Sequence, residues 1–240
     1  MKFKFLKSPN FSRKPRKKDK IKFIVIHYTG MQSKRVSINR LLSPNHKVSC
    51  HYFIDRKGKI IQMAEDTKIA WHAGKSKWKS FSNLNKNSIG IELDNKGHKL
   101  GYQSFPNSQI NQLIRLCRKL KKKYKIKNQC ILGHSDIAPL RKVDPGEKFP
   151  WFFLKKRGVS IYHSKENIEG DFKSSNKNII RNVFFKNIYK IGYRYFSKKK
   201  PLNTDKLVIK SFQRRFRPKK VSGLIDPESL AISKYLSKIS

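Results

Sequence analysis

Hydrophobic positions along the chain follow two periods. Ile21 to Thr29 (IKFIVIHYT) is a short, β-branched run suited to a strand buried on both faces, with His27 at its carboxyl end. Ser88 to Leu93 (SIGIEL) alternates, which sets Ile89, Ile91 and Leu93 on one face and Gly90 and Glu92 on the other. His51 to Asp55 and Lys59 to Ala64 flank Arg56-Lys57-Gly58 as the arms of a hairpin. Ser37 to Leu42 has room for one or two helical turns before Ser43-Pro44 stops them. A longer helix starts near Asn107 or Ser108, either of which can cap it, and keeps Ile110, Leu113, Ile114, Cys117, Leu120 and Tyr124 at the 3.6 period. Gln129 to Gly133 (QCILG) is another buried strand and delivers His134 into a loop.

Strands interspersed with helices predict an α/β fold, a mixed central β-sheet flanked by helices. Beyond Pro150-Trp151 the pattern becomes helical. Asn178 to Tyr189 is stopped by Gly192, Leu207 to Phe216 is a second helix, and Asp226-Pro227 gives the N-cap and first residue of a third with Leu230 and Leu236 inward. These compose a small carboxyl-terminal three-helix module over 174–240, which needs docking or a tight core because so short a segment buries little surface. The divisions expected are a basic arm over 1–20, a main domain over 21–160 and this module.

Composition changes the picture in one respect. The 240 residues carry 57 Lys+Arg against 15 Asp+Glu, a formal net charge of +42. Such an excess raises the question of an anionic partner. Lys is spread over every segment beside many Ile and Asn, so a compositional bias explains it equally well, and no nucleic-acid recognition motif accompanies it. The segment 7–20 reads as a solvated, mobile arm. It lacks the apolar core of about 7 to 15 residues that a secretory signal needs, so the expected compartment is the cytoplasm, with periplasm or outer membrane as the alternative. No run approaches the ~18 apolar residues of a membrane-spanning helix. Cys50, Cys117 and Cys130 are few, odd in number and far apart, which excludes a disulfide scaffold.

The chemistry concentrates on His27, His134 and Asp144. Two imidazoles and one carboxylate leave a fourth tetrahedral position open, the arrangement of a catalytic zinc. His27 ends one strand and His134 follows another, so the rim of one sheet can join them. On spacing alone, two strand-end histidines fit structural hydrogen bonding as well as metal ligation.

Six stretches in order, IVIHYTG, SCHYFID, WHAGKSKW, SIGIELDNKG, ILGHSDIAP and RKVDPGEKFPW, resemble the zinc-dependent N-acetylmuramoyl-L-alanine amidases of the type 2 family, from about Ile21 to Trp151. The likeness is closest to the Gram-negative branch that includes outer-membrane and cytoplasmic anhydromuropeptide amidases. It implies Zn2+ on His27, His134 and Asp144, with Glu92 as the catalytic glutamate and Lys142 as the catalytic lysine two residues before the ligand aspartate. It also implies a peptidoglycan or muropeptide substrate and hydrolysis of the bond between N-acetylmuramic acid and L-alanine in wall turnover and recycling; apart from the resemblance, the chain is expected to be a monomer. Otherwise Glu92 is a strand carboxylate in a salt bridge, and Lys142 a solvated lysine. Trp71, His72 and Trp78 resemble the family's substrate-groove loop, or form a loop anchored by two tryptophans, and His51 approaches the site from its strand. SFQRRFRPKKVSGLIDPESLAI resembles the last two helices of a small peptidoglycan-binding domain, more weakly. A noncatalytic peptidoglycan-recognition protein on the same fold is the alternative.

Overall fold

The computed structural model describes residues 3–164, 166, 176–197 and 199–240. In chain order its elements are β1 (Lys4–Phe5), β2 (Phe11–Ser12), β3 (Phe23–Tyr28), α1 (Lys34–Leu42), β4 (Tyr52–Ile54), β5 (Ile60–Gln62), β6 (Ile69–Ala70), β7 (Lys77–Trp78) and β8 (Phe81–Ser82). Then follow β9 (Ser88–Leu93), α2 (Asn107–Tyr124), β10 (Ile131–Gly133), α3 (His134–Ile137), α4 (Trp151–Lys156), α5 (Lys177–Ile191), α6 (Asp205–Phe216) and α7 (Pro227–Lys238).

The main sheet has six strands in the order β1-β5-β4-β9-β3-β10. Only the β4–β5 hairpin is antiparallel; the remaining pairs are parallel, so the sheet is mixed as the pattern predicts. Strand β3 alternates between two cores. Ile24 and Ile26 join Ile91, Leu93 and the apolar stripe of α2 on one face, while Phe23 and Val25 join Leu132 and the aromatic residues of α5 and α6 on the other. Every residue of β9 is buried, because it lies between β4 and β3 and both its faces are covered.

Local signals set the helix ends. Ser33 caps α1 by accepting from Val36 N–H, and Asp226 caps α7 by accepting from Ser229 N–H at 2.9 Å. Neither Asn107 nor Ser108 caps α2: Pro106 holds that place, and the Ser108 hydroxyl donates to Arg56 O at 2.8 Å. His134 opens α3 instead of entering a loop, since the Asp136 carboxylate accepts Gly133 N–H at 2.8 Å and starts a turn there.

The amino-terminal segment is not a free arm. β1 pairs with β5 and β2 with β6, while the Ser8 hydroxyl donates to Leu41 O at 2.6 Å. Arg16 is buried, with its guanidinium donating to Asp66 O at 2.8 Å and Asn85 O at 2.8 Å. Charge content suggested solvation, but a guanidinium with Nε, Nη1 and Nη2 each donating to a backbone carbonyl is held in place.

Helices α5–α7 share their core with the sheet. Phe184, Ile188, Phe212 and Leu236 lie in one cluster with Val25, Leu132 and Ile137. Residues 174, 175 and 198 of the expected module lie outside the described residues. Beneath the apolar contact, Arg215 on α6 pairs with Asp136 on α3 at 2.5 Å, both side chains almost fully buried. Tyr193 O–H donates to the other oxygen of Asp136 at 2.6 Å, and the Ser211 hydroxyl to Ser135 O at 2.7 Å.

Candidate metal centre and active site

The parallel register assembles the site. His27 on β3 is level with Glu92 on β9, and Gly133 on β10 is level with Ile26, so His134 falls one step beyond its strand beside His27. Neighbouring strands lie about 4.8 Å apart, and residues level with each other in a parallel ladder face the same side. Three side chains distant in sequence therefore meet at the carboxyl edge of the sheet, where open parallel sheets place their ligands. Asp144 arrives on the loop after α3, whose carbonyl accepts Ser135 N–H at 2.9 Å.

His27 Nδ1 lies 2.9 Å from His134 Nδ1 and 3.2 Å from Asp144 Oδ2, and His134 Nδ1 lies 3.0 Å from the same oxygen. All three residues are buried, and among the described residues they form a cluster able to hold a metal ion. The hydrogen bonds around them assign the tautomers. Ser88 Oγ spends its single hydrogen on Leu84 O at 2.6 Å, so it accepts from His72 Nε2–H at 3.3 Å. His72 Nδ1 is then the acceptor for His27 Nε2–H at 2.9 Å, which leaves His27 Nδ1 with its lone pair. On the other side His134 Nε2–H donates to Ala73 O at 3.2 Å, and His134 Nδ1 is likewise bare.

Two nitrogen lone pairs and a carboxylate oxygen thus converge. Left alone they repel; a cation between them turns the repulsion into coordination. Tetrahedral ligands held about 2.0–2.1 Å from zinc sit roughly 3.3 Å from one another, a little wider than the edges of this triangle. The donor set fits a divalent metal with an open position.

Electrostatics separate the acids from the imidazoles. Burial, reinforced by the His134 charge, lowers the His27 pKa to about 4. Burial also takes His72 well below its ordinary value and His51 to about 3, so these rings are neutral at physiological pH. Burial alone would raise Asp144; a proton taken up at Nδ1 of His134 or His27 sits against its carboxylate and holds it below the usual carboxylate range, the role a bound cation takes over. Glu92 goes the other way. Burial and the nearby Asp144 charge push it up to about 8, opposed by Lys142. Its Oε2 has no hydrogen-bond partner among the described residues.

The other expected site residues divide. Lys142 is half-buried, and its charge acts on both His27 and Glu92. Trp71 is 36% exposed and its indole N–H donates to Ser12 Oγ at 3.3 Å. His72 is buried behind His27 as its hydrogen-bond acceptor. His51 does not face the site: it is fully buried, accepting Gly90 N–H at 2.9 Å and facing Lys68 O at 3.0 Å. Trp78 is a core residue, with its ring against Tyr193 at 4.9 Å and packed over Gly192. A groove role needs an open ring face, and the carboxyl-terminal segment covers this one.

Sequence reasoning missed Ser88, Gly90 and Arg141. Gly90 is required because a Cβ there would overlap the His72 ring. Arg141 donates to Ala73 O and to Lys75 O, tying the His72 loop to the loop that carries Asp144. The glycine and serine inside SIGIEL carried a signal, since both share the Glu92 face of the strand.

Residues 17–147 match the family model Amidase_2, described as N-acetylmuramoyl-L-alanine amidase. Over 234 residues the chain is 32% identical to the N-acetylmuramoyl-L-alanine amidase AmiD of Escherichia coli (strain K12), covering 90% of this chain and 82% of that protein. It is 33% identical over 164 residues to the 1,6-anhydro-N-acetylmuramyl-L-alanine amidase AmpD of Haemophilus influenzae, covering 61% of this chain and 86% of that one. The solved complex of the Escherichia coli AmiD with anhydro-N-acetylmuramic acid-L-Ala-D-gamma-Glu-L-Lys is similar at a TM-score of 0.80 and 30% identity, covering 95% of this chain and 92% of that chain. Since the family model spans more than half of its residues and a named amidase aligns along nearly all of them, this chain belongs to the N-acetylmuramoyl-L-alanine amidase family.

Proposed function

We propose that the chain is a zinc-dependent hydrolase of the amide between N-acetylmuramic acid and L-alanine in peptidoglycan fragments, acting in wall turnover and recycling. The observation that carries this reading is the convergence of two imidazole lone pairs and the Asp144 carboxylate beside the unpartnered Glu92 oxygen. His27, His134 and Asp144 would hold the ion. When bound, zinc supplies a Lewis acid that polarises the scissile carbonyl, brings the pKa of a water to about 7 and adds a positive charge that lowers Glu92.

The chain's own groups do the rest. Glu92 accepts the proton of the attacking water and returns it to the departing alanine nitrogen. A carboxyl whose pKa lies near neutrality suits both halves of that transfer. Lys142 places a cation where negative charge grows on the carbonyl oxygen. Arg141 and the His72–Ser88 chain hold the site in register. Trp71 offers an exposed ring face at the groove for a sugar. The division into a catalytic unit over 21–160 and a wall-docking helical module over 174–240 belongs to this proposal.

Mass spectrometry of products tests it, with zinc-loaded protein incubated with polymeric peptidoglycan and with purified anhydromuropeptides. Free stem peptides beginning at L-alanine, absent with Glu92→Ala, are the expected result. Intact substrates despite stoichiometric zinc would overturn it in favour of a recognition protein.

A further inference from the structure

A cavity of about 490 Å³ lies against the solvent-facing side of α2 and shares no lining residue with the metal centre: Lys57, Arg115, Arg118 and Arg157 wall it, with Asn111 and Gln112 between them. Its size lies within the range of small-molecule sites. We infer that it binds phosphate groups, taking a molecule or headgroup that carries two phosphates side by side. The inference goes beyond the proposed hydrolysis and does not depend on it.

Three elements bring the cations together. On α2, Ser108, Asn111, Arg115 and Arg118 follow one another at helical spacing, so they fall on one stripe. Lys57 comes from the turn between β4 and β5, which is pressed onto the first turn of α2: a Cβ at Gly58 would lie 2.7 Å from Ser108 O, and the Ser108 hydroxyl donates to Arg56 O at 2.8 Å. Arg157 follows α4. There Arg118 donates through Nε and Nη2 to Arg157 O at 3.2 and 2.7 Å, and the Arg157 guanidinium lies 5.1 Å from the Phe153 ring centre. Both guanidinium groups are thus held in place before any ligand arrives, which lowers the entropic cost of binding.

Net charge alone does not single out this place, since the whole chain carries +42. The lack of acid does. Glu65 stands among the basic residues of one other cavity and Glu147 among those of another, whereas no carboxylate lines this one. Nor does any of its four cations pair with a carboxylate among the described residues; Asp55, at the base of the same hairpin, is taken by Lys34 at 2.5 Å. Like charges around one cavity repel, and an anion between them turns that repulsion into attraction. A phosphate monoester carries about −1.5 to −2 at neutral pH, so four cations balance two such groups, and guanidinium forks match phosphate oxygens in pairs. The lining holds no aromatic ring on which a base could stack, which favours a phosphate headgroup over a single-stranded nucleic acid.

Calorimetric titration of the zinc-loaded protein with inorganic pyrophosphate, at about 0.15 M salt, tests the site. The triple variant Lys57→Gln/Arg115→Gln/Arg157→Gln strips three charges from the cavity, while Lys186→Gln/Lys190→Gln/Lys234→Gln strips three exposed charges from α5 and α7 and controls for net charge. A charge-assisted hydrogen bond contributes about tenfold or more in Kd, so the cavity triple should bind at least about 100-fold more weakly and the control within about threefold of wild type. Lys57→Gln and Arg115→Gln, which break no hydrogen bond among the described residues, should each weaken binding about tenfold, so the test stands even if the triple variant folds poorly. Co-sedimentation with phosphatidylcholine vesicles containing phosphatidate, lost in the cavity triple and kept in the control, would assign the phosphates to a lipid headgroup; pyrophosphate binding without sedimentation would assign them to a soluble molecule. Equal losses in the two triples, or no loss in either, would overturn the site, as would duplex DNA binding that alone depends on the cavity. None of these outcomes bears on the amidase reading, which release of stem peptides tests separately.

Discussion

Replacing Arg215 with Met should show that the carboxyl-terminal helices hold the catalytic edge in place. The Arg215–Asp136 pair is 2.5 Å long, with side chains 3% and 1% exposed. Breaking a buried pair by removing one partner costs about 3–5 kcal/mol, because the other charge stays buried. Asp136 would keep Gly133 N–H at 2.8 Å and Tyr193 O–H at 2.6 Å, which favours the lower end. The guanidinium also donates to Ile131 O at 2.9 Å and stacks 4.2 Å from the Trp151 ring; losing those contacts restores the estimate to about 4 kcal/mol. Urea unfolding should therefore show a lower midpoint with an unchanged slope. His134 opens the same short helix as Asp136, so zinc affinity, read by chelator competition, should fall about tenfold or more. In a double-mutant cycle, Arg215→Met with Asp136→Asn should cost at least about 1 kcal/mol less than the two single changes together. A loss under about 1 kcal/mol with zinc affinity unchanged would refute the reasoning and make these helices a passive extension.

Other consequences follow from the site. The raised Glu92 pKa of about 8 means that in metal-free protein the unfolded chain has released this proton above about pH 4.5 while the folded chain keeps it, so stability is lost as pH rises between those values. The difference between wild type and Glu92→Gln should fall by about 1.4 kcal/mol per pH unit in that window, and a flat difference in urea titrations would contradict the burial argument. His72→Ala, Ser88→Ala and Gly90→Ala each disturb the chain that fixes the His27 tautomer, and each should weaken zinc binding about 10- to 100-fold; unchanged affinity in all three would remove the tautomer relay. Trp78→Ala should cost about 3–5 kcal/mol in stability, whereas Trp78→Phe should leave muropeptide affinity unchanged, and a selective affinity loss in the Phe variant would return Trp78 to the groove.

The sequence by itself determined the main strands and helices and the mixed character of the sheet, because hydrophobic period is a local property. The runs at Ile21–Thr29 and Ser88–Leu93 and the stripe from Ile110 to Leu120 each became the expected element. It also pointed to His27 and His134, since a strand end is visible as the place where an apolar run stops at a polar residue, and to Asp144 on the loop beyond, while Glu92 was singled out by the resemblance of its SIGIEL motif. Tertiary structure decided what depends on pairing between distant segments. Register alone made His27 level with Glu92 across two strands. Whether Arg16 was a solvated cation or a buried clamp depended on carbonyls contributed by Asp66 and Asn85, far along the chain. Trp78 and His51 carry residue types suited to a groove, but packing against Tyr193 and hydrogen bonding to Gly90 and Lys68 put them inside. The tautomers of the two histidines likewise followed from which carbonyl or hydroxyl the fold set behind each ring, and no spacing along a chain encodes that.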